Sequence, residues 1–362
     1  MSKGAHTLQE IADHVGVSTA TVSRVARGIG QVAPETRQRV LEAIEAFSFR
    51  PSHLGQALVS RRHAALGVVF PGLGGHYFSE VIQAVERESI AARMSLLILS
   101  THLLRESHEL VLEMARRVDG LIVIGGTLPP AVVSQLIAGG TPVVLMAQPP
   151  LPALPTVRVD NRAASAALTG HLLVDHGYAP LAFVGDPTGG PDFEARWHGF
   201  LAAHHALGAT PPEHPIRVGF SQTDGLRAVN DLLDTDTLPR ALVCANDEIA
   251  LGALSAALAR GLRVPEDVAV TGWDDVPLAA LTTPPLTTIR QPIQEMGART
   301  VQVLLARIAG EAANYDDLVL PTEPVYRRSC GCGEGGMKGM EGMNESHLFS
   351  SPSPLSSLST RR

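Results

Sequence analysis

Apolar and polar positions in the first fifty residues recur with the spacing of short α-helices. Leu8, Ile11 and Val15 are three and four residues apart, which places them on one face of a helix. Gly16 can end that helix, because glycine readily adopts positive φ. A second and a third helix follow, and the third begins at Pro34, a residue well suited to the first helical position. The pattern predicts three short helices around a small apolar core.

From about residue 65 onward, short apolar runs alternate with longer stretches of helical periodicity. Runs such as 66–70, 120–124 and 241–244 predict buried strands, and an amphipathic stretch follows each of them. Alternation of this kind is typical of parallel sheets with right-handed helical crossovers. Because the alternation occurs in two series, we predict two lobes with a ligand held between them, at the carboxyl ends of the strands.

Composition and charge narrow the class of protein. The chain has 362 residues, of which 45% are hydrophobic and 18% charged, an ordinary composition for a globular protein of two or three domains. Residues 1–62, which we call the head, carry a formal charge of +3, and the remainder carries −10. This charge difference indicates an anionic partner for the head alone. The three cysteines form no disulfide framework, and neither a signal segment nor a bilayer-spanning apolar run is visible. We therefore predict a cytoplasmic protein without a membrane partner.

The three predicted helices suit a helix-turn-helix, because a glycine-containing turn separates the first two. In such a domain the second helix lies in the DNA major groove, with its N-terminal residues at the base edges. Arg24 can donate two hydrogen bonds to guanine, and Ser18 can cap the helix and hold a phosphate. From the periodicity alone, a plain three-helix bundle with solvated polar residues remains equally possible.

A family resemblance favours DNA binding. Four segments resemble the DNA-binding domain of the LacI/GalR family of transcription regulators: 7–12 (TLQEIA), 16–18 (GVS), 21–25 (TVSRV) and 34–40 (PETRQRV). In that family the first, second and sixth residues of the recognition helix read bases, and the matching residues here are Thr19, Ala20 and Arg24. Arg27 departs from the family, which usually has Asn there. The predicted DNA-binding residues are Ser18, Thr19, Ala20, Thr21, Ser23, Arg24, Arg27 and Leu58.

Residues 51–63 resemble the hinge of the same family, which becomes helical only on the operator. About two helical turns do not offset the nucleation cost alone in water, so such a segment needs DNA and a second chain to fold. The family's Leu at the position of Leu58 wedges into the minor groove and kinks the duplex. Paired hinges imply a homodimer on a pseudo-palindromic operator. Without the resemblance, a flexible linker whose Leu54 and Leu58 pack on the body remains open.

The resemblance extends to about residue 332, through segments such as 159–161 (VDN), 196–200 (RWHGF) and 272–275 (GWDD). It implies an α/β fold: a two-lobed body like a periplasmic binding protein, made of doubly wound parallel sheets and preceded by an all-α helix-turn-helix domain. The predicted domains are a DNA-binding domain at 1–50, a hinge at 51–63, an effector-binding and dimerisation domain at 64–332 and a disordered tail at 333–362. Within the body, the N-lobe is predicted at about 64–161 and 293–322, and the C-lobe at about 162–290 and 323–332.

Sugars are bound by planar polar side chains that pair with hydroxyls and by aromatic faces that stack on C–H surfaces. Arg196 offers a rigid fork of donors, Asn246 a donor and an acceptor, and Asp274 acceptors. In the family, most positions of this kind line or border the effector pocket. The predicted effector-binding residues are Tyr77, Phe78, Asp160, Arg196, Phe220, Asn246, Trp273, Asp274 and Gln291. From the residues alone, Asn246 can equally cap a helix, Arg196 can form a surface ion pair, and Phe220 and Trp273 can be core residues.

The runner-up functions are a sugar-converting enzyme and an exported sugar-binding protein. Asp274 and Asp275 are paired carboxylates, but neighbours on a strand point to opposite faces and cannot share one substrate atom. Cys330 and Cys332 have no visible second pair of ligands, so we predict no metal and no cofactor. The prediction is a repressor, not an enzyme, whose operator affinity is controlled by a small effector, most simply a sugar or sugar derivative.

Overall fold

The structure, a computed structural model, describes residues 7–26, 29–47, 49, 62–152, 154–235, 237–311 and 317–333. The chain divides into two compact units. The first unit comprises Met1–Gly74, Phe78–Val159 and Pro292–Leu320, and the second comprises Gly75–Tyr77, Asp160–Gln291 and Pro321–Arg362. Among the described residues, no helix is both long enough and apolar enough to cross a membrane.

Three helices begin the first unit: α1 (Leu8–Val15), α2 (Thr19–Ala26) and α3 (Pro34–Ala46). A capping box starts α1, in which the Thr7 backbone N–H donates to Glu10 Oε2 (2.8 Å) and the Glu10 N–H donates to Thr7 Oγ1 (3.3 Å). Gly16 ends α1 with φ 74°. The core between the helices consists of Ile11, Ala12, Val15, Val22, Val25, Val40 and Ala43. The three helices predicted from the apolar spacing are thus present.

The rest of the first unit is a six-stranded sheet in the order β10-β5-β4-β3-β1-β2, in which every pair is parallel. Its strands are β1 (Ala65–Phe70), β2 (Ser95–Ser100), β3 (Gly120–Ile124), β4 (Val143–Met146), β5 (Thr156–Val159) and β10 (Asp317–Leu320). Its helices are α5 (Ser107–Ala115), α6 (Pro130–Ala138), α12 (Ile293–Ala309) and, from Phe78 onward, α4 (His76–Ala91). All residues of β1 and β3 are buried, as their continuous apolar runs predict.

The second unit has a parallel sheet in the order β6-β7-β8 and an antiparallel β9-β11 pair. The strands are β6 (Leu181–Val184), β7 (Ala241–Cys244), β8 (Ala269–Thr271), β9 (Thr288–Arg290) and β11 (Glu323–Val325). The helices are α7 (Asn161–Val174), α8 (Pro191–Ala206), α9 (Gln222–Asp234), α10 (Asp247–Ala259) and α11 (Pro277–Leu281), with 3₁₀ turns at Pro187–Gly189 and Arg328–Cys330. Helix α7 begins two residues after β5, and α10 begins three residues after β7, so Asn161 and Asp247 of the site described below lie at helix starts.

One segment of the second unit forms a single bridge and not a strand. The alternating apolar and polar residues at 216–218 (IRV) suit a strand, but Ile216 pairs alone, with its N–H donating to Phe183 O (2.8 Å) and its carbonyl accepting from Gly185 N (2.9 Å).

Candidate functional site

The predicted DNA-reading residues lie on an accessible surface of α2. Val22 and Val25 are buried in the head, whereas Thr19, Ala20 and Arg24 are exposed. Ser18 and Thr21 lie at the start of the helix and Ser23 is half-buried on it. Arg27 and Leu58 lie outside the described residues.

Ser18 caps α2 as its sequence position predicts. The Thr21 backbone N–H donates to Ser18 Oγ (3.2 Å), and the two hydroxyl oxygens are 2.9 Å apart. Capping satisfies one backbone N–H of the first turn and leaves the others directed out of the helix, where they can hold a phosphate.

In the second unit, the guanidinium of Arg196 is buried and held on several sides. Arg196 is 4% exposed and lies on α8. Its Nε donates to Asn161 Oδ1 (2.8 Å), and its Nη1 donates to the backbone oxygen of Ala245 (2.6 Å). The guanidinium carbon lies 4.4 Å from the centroid of the Trp273 ring. A buried charge requires such partners, and the fixed fork is therefore preorganised.

Asp274 lies buried close to this guanidinium, in a backbone conformation that few side chains adopt. Its Oδ1 accepts from Gln291 Nε2 (2.6 Å). The φ angle is 120° at Asp274 and 58° at Asp275, and successive residues of this kind are usually maintained only where function requires them. Burial raises the pKa of Asp274 to about 7, although the positive charge of Arg196 and the hydrogen bond from Gln291 oppose the shift.

Asp275 has different partners from its neighbour. It forms ion pairs with Arg290 Nε (2.7 Å) and Arg327 Nη1 (2.7 Å). The two adjacent carboxylates are thus held by separate groups.

Asp247 braces the loop that carries Trp273 and Asp274. It is fully buried at the start of α10, where its N–H donates to the carbonyl of Trp273 (2.7 Å). Its carboxylate accepts from the Val276 N–H (2.9 Å) and the Thr288 hydroxyl (2.7 Å). Burial raises the pKa of Asp247 well above its usual range, and the negative charge of Asp274 adds to the shift. The hydrogen bonds of Asp247 therefore hold the loop in place.

Two buried polar atoms at this site have no hydrogen-bond partner within the described part of the chain: Trp273 Nε1 and Gln291 Oε1. Trp273 is 2% exposed and Gln291 is 5% exposed. Most buried polar groups are paired, so an indole donor and an amide acceptor without partners indicate that a ligand or water completes the site. We call the group formed by Asn161, Arg196, Trp273, Asp274 and Gln291 the arginine cluster.

Phe220 and Asn246 lie at the edge of the arginine cluster. Phe220 is 44% exposed, and its ring centroid is 5.0 Å from that of Phe193, which in turn lies 5.5 Å from the Arg196 guanidinium. Asn246 caps α10 by accepting from the Ile249 N–H (2.8 Å), and its Nδ2 donates to the Phe220 carbonyl (3.1 Å). Phe220 therefore presents an open face, whereas Asn246 is largely used in capping.

Three predicted residues, Tyr77, Phe78 and Asp160, are not part of the arginine cluster. The Trp273 ring, which is part of it, also packs in the core against Leu168 and Ile289. Asp160 is exposed and caps α7 by accepting from the Ala163 N–H (3.0 Å). Tyr77 belongs to the second unit, and burial raises the pKa of its phenol. Phe78 belongs to the first unit and packs edge-on against Phe70 (5.5 Å).

Sequence reasoning missed three residues of the site: Asn161, Asp192 and Asp247. Asn161 lies directly after the cap, faces inward and joins Arg196 to Asp192, to whose Oδ1 its Nδ2 donates (2.9 Å). The sequence did contain a signal for Asn161. Asp160 is placed to cap the helix, so a polar residue directly after it has no capping role and indicates another function.

The structure also corrects the reasoning about the cysteines. No second pair of metal ligands is visible near Cys330 and Cys332 in the sequence, yet the structure places His171 and His176 beside them. All four ligand atoms lie within 4.8 Å of one another.

The raised pKa of Asp274 predicts a pH dependence of stability. In the folded chain the carboxyl titrates at about 7, whereas its ordinary pKa is 3.8, so between these values folding takes up a proton. Stability therefore falls as pH rises from about 4 to about 7, by up to about 1.4 kcal/mol per unit. Asp274→Asn removes the ionisation, and Asn tolerates positive φ. We expect its thermal midpoint to rise relative to the wild type as pH increases over this range.

Thermal denaturation of both proteins between about pH 4 and pH 8 measures this difference. The control is Asp231→Asn, which removes an exposed carboxylate on α9 of the same unit. A gap between wild type and Asp274→Asn that stays constant with pH would contradict the assignment.

Comparison with known proteins agrees with this arrangement of a helix-turn-helix head and two α/β units. Residues 7–52 match the bacterial regulatory proteins of the lacI family, and residues 171–330 match a periplasmic binding protein-like domain. The HTH-type transcriptional repressor PurR of Pasteurella multocida is 32% identical over 89% of this chain and 98% of its own length. Catabolite control protein A of Priestia megaterium is 30% identical over 89% and 98%.

Solved structures show the same fold. The lac repressor dimer bound to operator and the anti-inducer ONPF superimposes with a TM-score of 0.80 at 26% identity, covering 90% of this chain and 99% of that one. The complex of the regulator CelR with cellobiose has a TM-score of 0.66 at 28% identity, with coverage of 90% and 99%. A LacI family regulator from Enterococcus faecium with bound ribose has a TM-score of 0.66 at 25% identity, covering 73% and 97%.

Fold and site together define a DNA-binding transcription regulator whose body is built to bind a small molecule. The chain belongs to the LacI family of bacterial regulatory proteins. Two of its relatives, PurR of Pasteurella multocida and CytR of Escherichia coli, are named HTH-type transcriptional repressors.

Proposed function

We propose that the chain is a repressor that binds a pseudo-palindromic operator as a homodimer, and that a sugar or sugar derivative bound at the arginine cluster controls its operator affinity. In this proposal residues 1–50 bind DNA, 51–63 form the hinge, and 64–332 bind the effector and dimerise. The observation that carries it is a buried, preorganised guanidinium beside a buried carboxylate, with an indole donor and an amide acceptor left for a ligand.

The chemistry of the arginine cluster suits a polyhydroxylated ligand. Arg196 and the Trp273 indole donate, Gln291 Oε1 accepts, and Asp274 accepts when ionised or donates when protonated. The open face of Phe220 can stack on the C–H side of a ring. Two structural relatives hold cellobiose and ribose respectively, which supports a sugar over other small molecules.

On DNA, the exposed face of α2 would enter the major groove, with Arg24 at a guanine and Ser18 at a phosphate. The lac repressor relative is a dimer on its operator, which supports binding as a homodimer. The effector can act only if it binds the DNA-competent and DNA-incompetent states with different affinity.

A thermal-shift screen of the full chain against sugars, sugar acids, sugar phosphates and purines tests the ligand class. Purines belong in the screen because several relatives are named PurR. We expect a sugar or sugar derivative to raise the thermal midpoint, and the same compound to change the affinity of the chain for its operator in a gel-shift titration. A purine hit without any sugar hit would overturn the ligand class.

The gel-shift titration, together with analysis of the incubated ligand, distinguishes the proposed function from the two runner-up functions. A sugar-binding protein without a regulatory role would bind the sugar but would show no preference for any duplex. A sugar-converting enzyme would consume the compound, which chromatography of the incubated ligand would reveal. Either result would contradict the proposal.

A further inference from the structure

Four metal-ligating side chains converge in the second unit, apart from the arginine cluster: His171, His176, Cys330 and Cys332. The Nε2 atoms of the two histidines are 3.1 Å apart, and Cys332 Sγ lies 3.4 Å from each of them. Cys330 Sγ lies 3.9 Å from His171 Nε2. All four ligand atoms lie within 4.8 Å of one another.

We propose that these four side chains bind one Zn²⁺ ion in a structural Cys₂His₂ site. With Zn–N distances of about 2.0–2.1 Å and Zn–S distances of about 2.3 Å, tetrahedral ligands are spaced at about 3.3 Å for N···N and about 3.6 Å for N···S. The observed spacings of 3.1, 3.4, 3.4 and 3.9 Å lie around these values. Two thiolates and two imidazoles in a tetrahedron are a donor set that favours zinc.

The groups around these ligands are those that orient and tune a metal site. His171 Nδ1 lies 2.6 Å from Asp175 Oδ2, so the carboxylate holds the proton on Nδ1 and leaves Nε2 as the ligand atom. The hydroxyl of Thr287 donates to Cys330 Sγ (3.0 Å), which stabilises a thiolate. Hydrogen bonds of both kinds are usual around bound zinc.

The backbone between the two cysteines lies close to the side chains of Tyr178 and His176. Gly331 has φ 102°, and a Cβ there would lie 3.0 Å from the Tyr178 hydroxyl and 3.3 Å from the His176 ring. That hydroxyl donates to the carbonyl of Cys330 (3.1 Å). A glycine is therefore required between the cysteines, both for its φ and for space.

The proposed site is structural rather than catalytic, because protein side chains would fill all four coordination positions of the zinc ion and leave none for water or substrate. It would fasten residues 328–332 to the end of α7. Ser329, next to Cys330, donates to the carbonyl of Val270 (2.6 Å) and accepts from the Thr287 N–H (2.8 Å). A zinc ion here would thus join α7, β8 and the end of the described chain.

The test measures metal in the purified full chain, prepared without chelators and under reducing conditions. We expect about one zinc per chain by mass spectrometry of the metal. Replacement by Co²⁺ should give the strong visible bands of tetrahedral cobalt together with a thiolate charge-transfer band. Removal of the metal should lower the thermal midpoint by several degrees, because ligand binding stabilises the folded state.

Cys332→Ser and His176→Ala are expected to lower zinc affinity at least tenfold and to abolish the effect of chelation on the midpoint. The matched control is Cys244→Ala, which removes the third cysteine from the core around β7 and leaves the four ligands intact. It should bind zinc like the wild type. If the ligand variants fail to fold, the Co²⁺ spectrum of the wild type decides alone.

Three outcomes would overturn the proposal. One is a chain that stays free of zinc in the presence of excess metal. Another is a Co²⁺ spectrum typical of octahedral oxygen ligands. The third is a Cys330–Cys332 disulfide that persists under reducing conditions, since a disulfide removes both thiolates. None of these outcomes bears on DNA or sugar binding, which are measured separately.

Discussion

Replacing Arg196 by alanine is expected to abolish the response of operator binding to the effector. The guanidinium is the only cation that the structure places within the arginine cluster, among the described residues, and its fork is already oriented by Asn161 and Ala245. Removing one member of a buried charged hydrogen-bond network costs about 2–5 kcal/mol of binding free energy, equivalent to about 30-fold to several thousand-fold in Kd. Calorimetric titration with the compound found in the thermal-shift screen measures the loss.

The variant also leaves Asn161 Oδ1 and the Ala245 carbonyl without their donor, which lowers stability by about 1–3 kcal/mol. Circular dichroism and operator binding without effector establish that it still folds. Arg162→Ala is the matched control, because Arg162 is exposed on α7, next to Asn161. An Arg196→Ala protein that folds and binds the effector as tightly as Arg162→Ala would contradict the assigned site.

Arg24→Ala is expected to remove the preference for the operator while leaving weak, salt-sensitive binding to any duplex. Arg24 is exposed on α2, and a bidentate contact to guanine contributes about 1–3 kcal/mol of discrimination. Contacts to phosphates carry no sequence information and persist in the variant. The measurement compares Kd for an operator selected by the wild type from random duplexes with Kd for unrelated DNA, at several salt concentrations.

Arg24→Lys supplies the informative comparison. Lysine keeps the charge, so non-specific binding should stay near the wild-type level. It lacks the planar fork, so most of the discrimination should still be lost. If Arg24→Ala retains the operator preference of the wild type, α2 is not the reading helix.

Much of the head was predictable because its signals are local. The spacing of Leu8, Ile11 and Val15, followed by Gly16, defines α1 within a window of nine residues. Strands such as β1 and β3 were equally visible, since each is a continuous buried run. The short strands β9 and β11 have three residues each, too few for periodicity to distinguish them from loops.

The candidate sites were less visible, because they depend on direction and on distant pairing. Asp160 and Asn161 are adjacent polar residues at a helix start, and only the fold shows that the first caps the helix while the second contacts Arg196. His171 and Cys330 are separated by most of the second unit in sequence, and no spacing rule connects them. The unusual φ at Asp274 also gives no sequence signal, because Asp occurs in many ordinary turns.

Asp274 lowers the stability of the fold at a position that the proposed function assigns to effector binding. Asp274 is costly to the fold in two independent ways, a left-handed conformation and a carboxyl group taken out of water, and glycine would remove both costs. Selection for thermal stability alone would therefore favour alleles that lack this aspartate. Such alleles would encode more stable proteins whose arginine cluster lacks its carboxylate, which on the proposed function is one of the groups that hold the effector.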